Sequence, residues 1–392
     1  VGRAEVPARS IDVRRAHGRS RRGRDLSRSF RAESAVLRAD NRPCICVKTG
    51  PMTRKRLANP DPLVRRRRRL LMRFGSVALL GRTNVGKSTF LNAVLGESLA
   101  VVSPIPQTTR ESLLGVVHRP GAQIAFVDTP GLHRPKSELG RRMNATALEV
   151  ARAADVLVVM TDVDPALAKN PSEMVERDRE VIELLPRGPA RLLVLNKVDL
   201  VRNKQKLLPA LVAYEQMHEF AELVPVSLKT PADAERVLDA IEKLLPEGAA
   251  GYDPETLTDR TTPFFVREYV REQVIVTTQG EVPHAVAVSI DVIEERDRLL
   301  SIKATIHVEK DGQRRILIGK GGANIKAIGT GARLRLEELY GTKIYLELFV
   351  RVTPKWKSVP RQLAELGYEA PAEKRLLSAL PDAPKRRPRG PR

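Results

Sequence analysis

Eight consecutive residues constrain this chain more than anything else in it: Gly81-Arg82-Thr83-Asn84-Val85-Gly86-Lys87-Ser88. They satisfy G-x-x-x-x-G-K-[ST] at every fixed position. The apolar run Val77, Ala78, Leu79, Leu80 leads into them, and a helix-like stretch at residues 90–95 lies just beyond. Strand, glycine-rich loop and helix in that order make a cradle for phosphate. Glycines let successive backbone N–H groups turn inward around an anion, and the helix N-terminus adds its partial positive charge. Lys87 is then spaced to reach terminal phosphates, and the Ser88 hydroxyl to ligate Mg2+. A glycine-rich turn that matches by accident has no reason to sit between an apolar strand and a helix.

Further apolar runs follow at residues 124–127, 156–160, 192–195 and 223–226, each ending in a polar site. Buried strands that end at a ligand-binding edge have this form in parallel sheets. The run at 124–127 closes with Asp128-Thr129-Pro130-Gly131, where Asp128 can hold Mg2+ through water and the Gly131 N–H can sense a γ-phosphate. The run at 192–195 closes with Asn196-Lys197-Val198-Asp199. A carboxylate at Asp199 can accept from both N1 and N2 of guanine, a pairing adenine cannot return, so the tetrapeptide favours GTP over ATP. Alone it is most often a strand end followed by a capped helix; in order after the other two motifs it becomes a guanine signature. The spacing predicts an α/β domain, a parallel-rich sheet with flanking helices, over residues 74–247.

Residues 248–262 have linker composition, with Gly248, Gly251 and Pro254. A helix is expected over residues 264–274. Period-two alternation in Val286, Val288, Ile290, Val292 and again in Ile302, Ala304, Ile306, Val308 gives two half-buried strands of an antiparallel sheet. A third, Ile344, Leu346, Leu348, Val350, Val352, follows a helical stretch at 323–340. Before that helix lies Gly319-Lys320-Gly321-Gly322, with Lys326 beyond. A G-x-x-G is commonly just a turn. Between two helical segments it can press its backbone against a nucleic-acid strand while Lys320 and Lys326 meet phosphates.

Charge supports that second reading. The chain carries a formal net charge of +21, of which residues 1–73 hold 22 basic against 6 acidic groups and residues 371–392 hold 7 against 2. The body between is balanced, but residues 303–370 hold 13 basic against 7 acidic groups, a local excess suited to a polyanion. The leader, residues 1–73, has little apolar periodicity and reads as disordered, including the arginine run at 65–69, and the Pro-rich basic tail, 371–392, reads the same way. A transit peptide, a nucleic-acid-binding arm, or sequence upstream of a true start at Met52 or Met72 all fit the leader; the last is favoured because a domain pattern begins directly after Met72. Cys44 and Cys46 alone cannot make a disulfide scaffold or a four-cysteine zinc site. No apolar run approaches the roughly 18 residues of a spanning helix.

With these motifs in order, residues 74–247 resemble the P-loop GTPases of the translation-factor-related class. The resemblance makes Gln107-Thr108-Thr109-Arg110 the effector loop, with Thr109 completing the Mg2+ shell in the GTP state. Catalytic roles then fall to Lys87, Thr109 and Gly131. Val226-Ser227-Leu228-Lys229 takes the place of the last guanine-contacting loop, and Leu228 departs from its usual Ser-Ala-Lys form. Leu132 stands where Ras-like switches carry the Gln that orients water, so slow intrinsic turnover is expected. Asn84 matches relatives in which a bound K+ replaces an arginine finger. The order helix, strand, strand, helix, G-x-x-G, helix, strand over 263–370 resembles the type II KH domain, a reader of single-stranded RNA.

The pairing of one such GTPase domain with one C-terminal KH domain resembles the Era family, over roughly residues 74–370. Tyr252-Asp253-Pro254, Thr258-Asp259-Arg260, Glu281-Val282-Pro283 and Leu366-Gly367-Tyr368 add to it. Thr83 and His284 depart from the family's usual Pro and Tyr. The resemblance implies a monomeric, cytoplasmic GTP/GDP-binding protein that holds the 3′ end of small-subunit rRNA on the pre-30S particle, with peripheral contact at the inner membrane. Two other classes stay open: a signalling switch that docks a protein on the KH fold, and an RNA-binding module that keeps GTP only as a structural ligand.

Overall fold

The structure, a computed structural model, describes residues 72–164, 171–296 and 299–368. The leader through residue 71, with both cysteines, the arginine run and Met52, lies outside the described residues, as does the tail from 369 onward.

Strand β1 (Arg73–Gly81) is buried over its last seven residues and lies at the centre of a six-stranded sheet. With β2 (Leu113–His118), β3 (Ala122–Asp128), β4 (Val156–Asp162), β5 (Ala190–Asn196) and β6 (Glu222–Pro225), the order is β2-β3-β1-β4-β5-β6. All neighbours pair in parallel except the edge strand β2, which runs antiparallel to β3. The helices are α1 (Lys87–Leu95), α2 (Glu138–Ala153), α3 (Pro171–Glu183), α4 (Leu208–Met217) and α5 (Pro231–Leu244). Alternate strand residues separate two apolar layers, as a period of two requires. Val77, Leu79 and Phe126 pack with Phe90 of α1 and Val237 of α5, whereas Ala78, Leu80 and Leu193 pack with Ala147 of α2, Val175 of α3 and Tyr214 of α4. Loops 81–88, 128–131 and 196–199 therefore leave the same sheet edge, which is where a doubly wound sheet binds its ligand.

The second domain opens with α6 (Thr262–Thr277) and the single turn α7 (Val282–Ala285). Strands β7 (Ala287–Arg296) and β8 (Leu299–Val308) pair antiparallel, as their alternation predicts. Helices α8 (Asp311–Ile318) and α9 (Ala323–Tyr340) then carry the chain across, so that β9 (Lys343–Val352) pairs with β8 in parallel. Short α10 (Pro360–Glu365) closes the described chain. This element order is the one the KH resemblance implies.

The stretch read as a linker is bound to the first domain. Gln123, 2 % exposed, accepts from the N–H groups of Gly251 (2.7 Å) and Tyr252 (2.9 Å) and donates to the Tyr252 carbonyl (2.8 Å). Val116 N–H of the edge strand donates to Leu257 O at 2.8 Å, His118 bonds Thr256 O at 2.9 Å, and Arg260 donates to Ser112 O. Its glycines and prolines thus shape a strap that covers the free edge of the sheet, a position natural sheets protect.

Candidate functional site

The phosphate loop is built on backbone conformations that few side chains tolerate. Gly86 sits at φ 109°, and a Cβ there would lie 2.4 Å from Asn196 Nδ2. The Lys87 ammonium, buried beneath the loop, donates to the carbonyls of Gly81 (3.2 Å) and Arg82 (2.8 Å). Burial pulls it down to about 8, against the attraction of Asp128. Across from it, Ser88 Oγ donates to Asp128 Oδ2 at 2.7 Å and lies 3.0 Å from Thr109 Oγ1, which is itself 3.5 Å from the same carboxylate oxygen. Three expected Mg2+ ligands therefore converge. Asp128 is fully buried, its Oδ1 has no hydrogen-bond partner among the described residues, and burial pushes its carboxyl up while Lys87 and the two hydroxyls oppose. An unpaired oxygen beside two hydroxyls is a hard-donor set that fits Mg2+.

The guanine end is equally ordered. Asp199 accepts from Ser227 Oγ (2.8 Å) and Lys229 Nζ (2.8 Å), and these two, Lys229 foremost, hold its carboxyl below the usual range. Asn196 donates to Val85 O (2.9 Å) and accepts from the N–H groups of Lys197 (2.7 Å) and Leu228 (3.2 Å), locking three loops together. Lys197, at φ 60°, reaches Asn84 O (2.9 Å) and Asp162 (2.7 Å). A cavity of about 590 Å³ runs between the two ends, lined by Thr83, Asn84, Gly86, Lys87, Ser88, Thr109, Gly131, Asn196, Lys197, Asp199, Ser227 and Leu228 among others.

Several expected residues support the cavity from behind. Thr129 Oγ1 donates to Leu79 O at 2.6 Å, Leu132 is buried in the core beside Leu80, and Pro130 is buried with them. Val198 is half-buried beside that core. The Arg82 side chain turns to Asp162 (2.9 Å) and Asp178 (2.5 Å). Asp178 also accepts from Tyr214 (2.6 Å) and Thr161, a buried network that the sequence does not announce because its members lie far apart in the chain. Gly131 is required by close approach: a Cβ would stand 2.8 Å from both N and Cα of Thr83. His133 Nδ1 bonds Gly131 O at 2.9 Å, and Asn144 donates to His133 O at 2.6 Å.

In the second domain the G-x-x-G joins α8 to α9 through Gly319 (φ 72°), Gly321 (φ 60°) and Gly322 (φ 80°), with Lys320 and Lys326 exposed. Asn324 closes the loop by donating to Ile316 O at 2.7 Å. Beside it a groove of about 340 Å³ runs between α9 and the edge strand β9, lined by Ile325, Lys326, Gly329, Arg333, Tyr345 and Leu348 among others. Only Lys326 of these is expected from sequence; Arg333 lies two turns further along α9, and Tyr345 is brought to it by the parallel return of β9. Tyr345 is 52 % exposed, an aromatic face a base can stack on.

The first domain is thus a GTPase domain of the P-loop class, and a KH fold follows it. Profile comparison agrees: "50S ribosome-binding GTPase" matches residues 76–197 and "KH domain" residues 281–357. The GTPase Era of Syntrophus aciditrophicus is 40 % identical over 301 residues, 76 % of this chain and 96 % of that protein. Era of Mycobacterium avium is 40 % identical over 301 residues, 76 % of this chain and 99 % of that protein. Two solved structures align: a Tyr-to-Ala variant of Aquifex aeolicus Era bound to GDP·AlF4⁻ (TM-score 0.70, 36 % identity, 76 % of this chain and all of that one) and Era in complex with MgGDPNP and nucleotides 1506–1542 of 16S ribosomal RNA (TM-score 0.71, 36 % identity, 76 % and 99 %). The chain belongs to the Era family of GTPases.

Proposed function

We propose that this chain couples GTP hydrolysis to the capture and release of the single-stranded 3′ end of small-subunit rRNA, and so acts in maturation of the small ribosomal subunit. The groove between α9 and β9, floored by apolar Ile325 and Leu348 and edged by Lys326 and Arg333, with the exposed Lys320 on the preceding G-x-x-G loop, carries the RNA half of the reading. An aromatic, a basic rim and glycines that admit a backbone are the means by which unpaired RNA is held.

In the nucleotide site, Gly81 through Ser88 wrap the phosphates, with Lys87 on the terminal ones. Ser88, Thr109 and Asp128 would hold Mg2+, which when bound neutralises charge on the phosphates. The Gly131 N–H would face the γ-phosphate, with Gly131 packed closely on Thr83 and its carbonyl bonded to His133 Nδ1. Asp199, with Ser227 and Leu228 N–H beside it, selects guanine. Leu132 is buried in the core, so no side chain at that position orients water, and intrinsic turnover is slow. The Asn84 side-chain oxygen is the group assigned to a bound K+; its amide already donates to Pro104 O at 2.7 Å, which fixes the side chain at the loop. Cytoplasmic placement, a monomeric state and peripheral contact at the inner membrane belong to the same reading. Among the described residues no helix is long and apolar enough to cross a membrane.

The test is GTP turnover by the full chain with and without a single-stranded RNA copy of the 3′ end of small-subunit rRNA, in KCl and in NaCl at matched ionic strength. Stimulation by RNA that disappears in the Lys320→Asp/Gly321→Asp variant is expected, with the higher rate in KCl. Equal rates in the two salts would remove the K+ assignment. RNA binding absent in wild type, with GTP-dependent capture of a protein instead, would favour the signalling class.

A further inference from the structure

Thr109 is a single residue of the first domain caught between residues anchored to the second. On its N-terminal side the Thr108 hydroxyl donates to Ile105 O at 2.7 Å, and the Thr108 carbonyl accepts from Arg271 of α6. The Arg271 side chain is 2 % exposed and paired with Glu268 at 2.5 Å. On its C-terminal side Arg110, itself buried, donates to Val286 O (2.5 Å) and His284 O (3.2 Å), its guanidinium 5.8 Å from the ring of Trp356. Glu111 accepts from Arg267 at 3.0 and 3.3 Å. Residues 108, 110 and 111 thus rest on the second domain, while the Thr109 hydroxyl alone points to Ser88 and Asp128.

From this arrangement we infer that Arg271, held by Glu268, is a positioning residue for GTP hydrolysis: the second domain sets Thr109 in place by fixing the peptide before it. This rests on the GTPase reading above. An exposed loop fixed by no neighbour would have to be ordered at the expense of nucleotide binding. Here an arginine from another domain orders it in advance. Charge-assisted bonds to a buried carbonyl are the stronger kind, and geometry at a reacting centre is sensitive to small displacements. A buried ion pair is weak support for stability, and an apolar pair of similar volume often replaces one without loss. Exchanging the Glu268–Arg271 pair for apolar side chains therefore tests the bond to the Thr108 carbonyl without presuming loss of the fold.

The experiment compares the full-length wild-type chain with Glu268→Met/Arg271→Met, which removes both members of the ion pair together, and with Arg271→Lys. Affinities for GDP and for a non-hydrolysable GTP analogue are measured with Mg2+ present, together with kcat and KM. Thr109 serves the triphosphate state, so GDP affinity is the internal control. In the double variant analogue affinity and kcat should each fall about 10-fold, with GDP affinity within about 2-fold of wild type and Arg271→Lys recovering part of the loss. A double variant that keeps its thermal transition, its analogue-to-GDP affinity ratio and its kcat overturns the inference. A wild-type chain without turnover would instead overturn the GTPase reading, and the affinity ratio would still decide the role of Arg271.

Discussion

Lys87 shows how one buried charge sets the working range of the site. Its ammonium has two carbonyl partners and is 6 % exposed, and burial brings its pKa to about 8. Only the protonated form neutralises phosphate, and a bound polyanion raises the pKa again. Nucleotide affinity should therefore be full below pH 8 and fall above it, approaching 10-fold per pH unit, or about 1.4 kcal/mol each. Calorimetric titration with GDP from pH 7 to 9.5 checks this; an affinity flat to pH 9.5 would place the folded-state value higher. Lys87, Asp128 and Asp199 are legible in the sequence because their chemistry depends on spacing within one loop. Asp178, Arg271 and the ion pairs of the Arg82 side chain are not, because each depends on a partner 80 or more residues away, such as Asp162 for Arg82 or Thr108 for Arg271.

At the scale of elements, the connecting strap gives the clearest consequence. Gln123 holds two half-buried N–H groups and one carbonyl of the strap, so Gln123→Leu removes three hydrogen bonds at once. A loss of about 1–3 kcal/mol is expected, with faster protease cleavage at residues 248–260. Unchanged cleavage would mean that the edge-strand bond from Val116 to Leu257 suffices to hold it. The same region marks where pattern reading falls short. Strands β1, β3, β4 and β5 are visible in the sequence, since burial on both faces makes each a short apolar run; the edge strand β6 shows the same kind of run although only Val224 of it is fully buried. Strand β2 is not, because Gly115 interrupts its run; a Cβ there would meet Leu95 at 2.8 Å and Leu91 at 2.9 Å, so helix packing dictates a residue that local pattern reads as a break. In the second domain the alternation of β8 and β9 survives because one sheet face is covered and the other is not, whereas in β7 a bulge between Ile290 and Val292 turns Val292 to solvent and Ile293 to the core.

For the molecule as a whole, the two domains share buried structure in a way that composition could not reveal. One continuous apolar cluster includes Val77 and Phe90 of the first and Phe265, Ile302 and Leu336 of the second. A smaller one sets Leu139 and Met143 of α2 against Trp356, Leu363 and Tyr368, with Arg142 donating to Tyr368 O at 2.5 Å and Leu139 N–H to Lys357 O at 3.1 Å. Trp356 is the chain's single tryptophan, wholly buried, its indole N–H on Ala285 O at 3.0 Å. Its fluorescence thus reports domain docking, whereas far-UV circular dichroism reports helices and strands of both domains. Domains joined only through a polar, separable contact unfold in two steps. A shared core and a wholly buried guanidinium between the domains, Arg271 on Thr108, argue for one. Guanidinium titration should give one midpoint by both probes, and nucleotide at 100 times its Kd should move both together, by about 2.7 kcal/mol. A fluorescence transition that precedes the loss of secondary structure, and stays fixed while nucleotide shifts the latter, would show that the domains part before either unfolds, and that docking adds nothing to nucleotide binding.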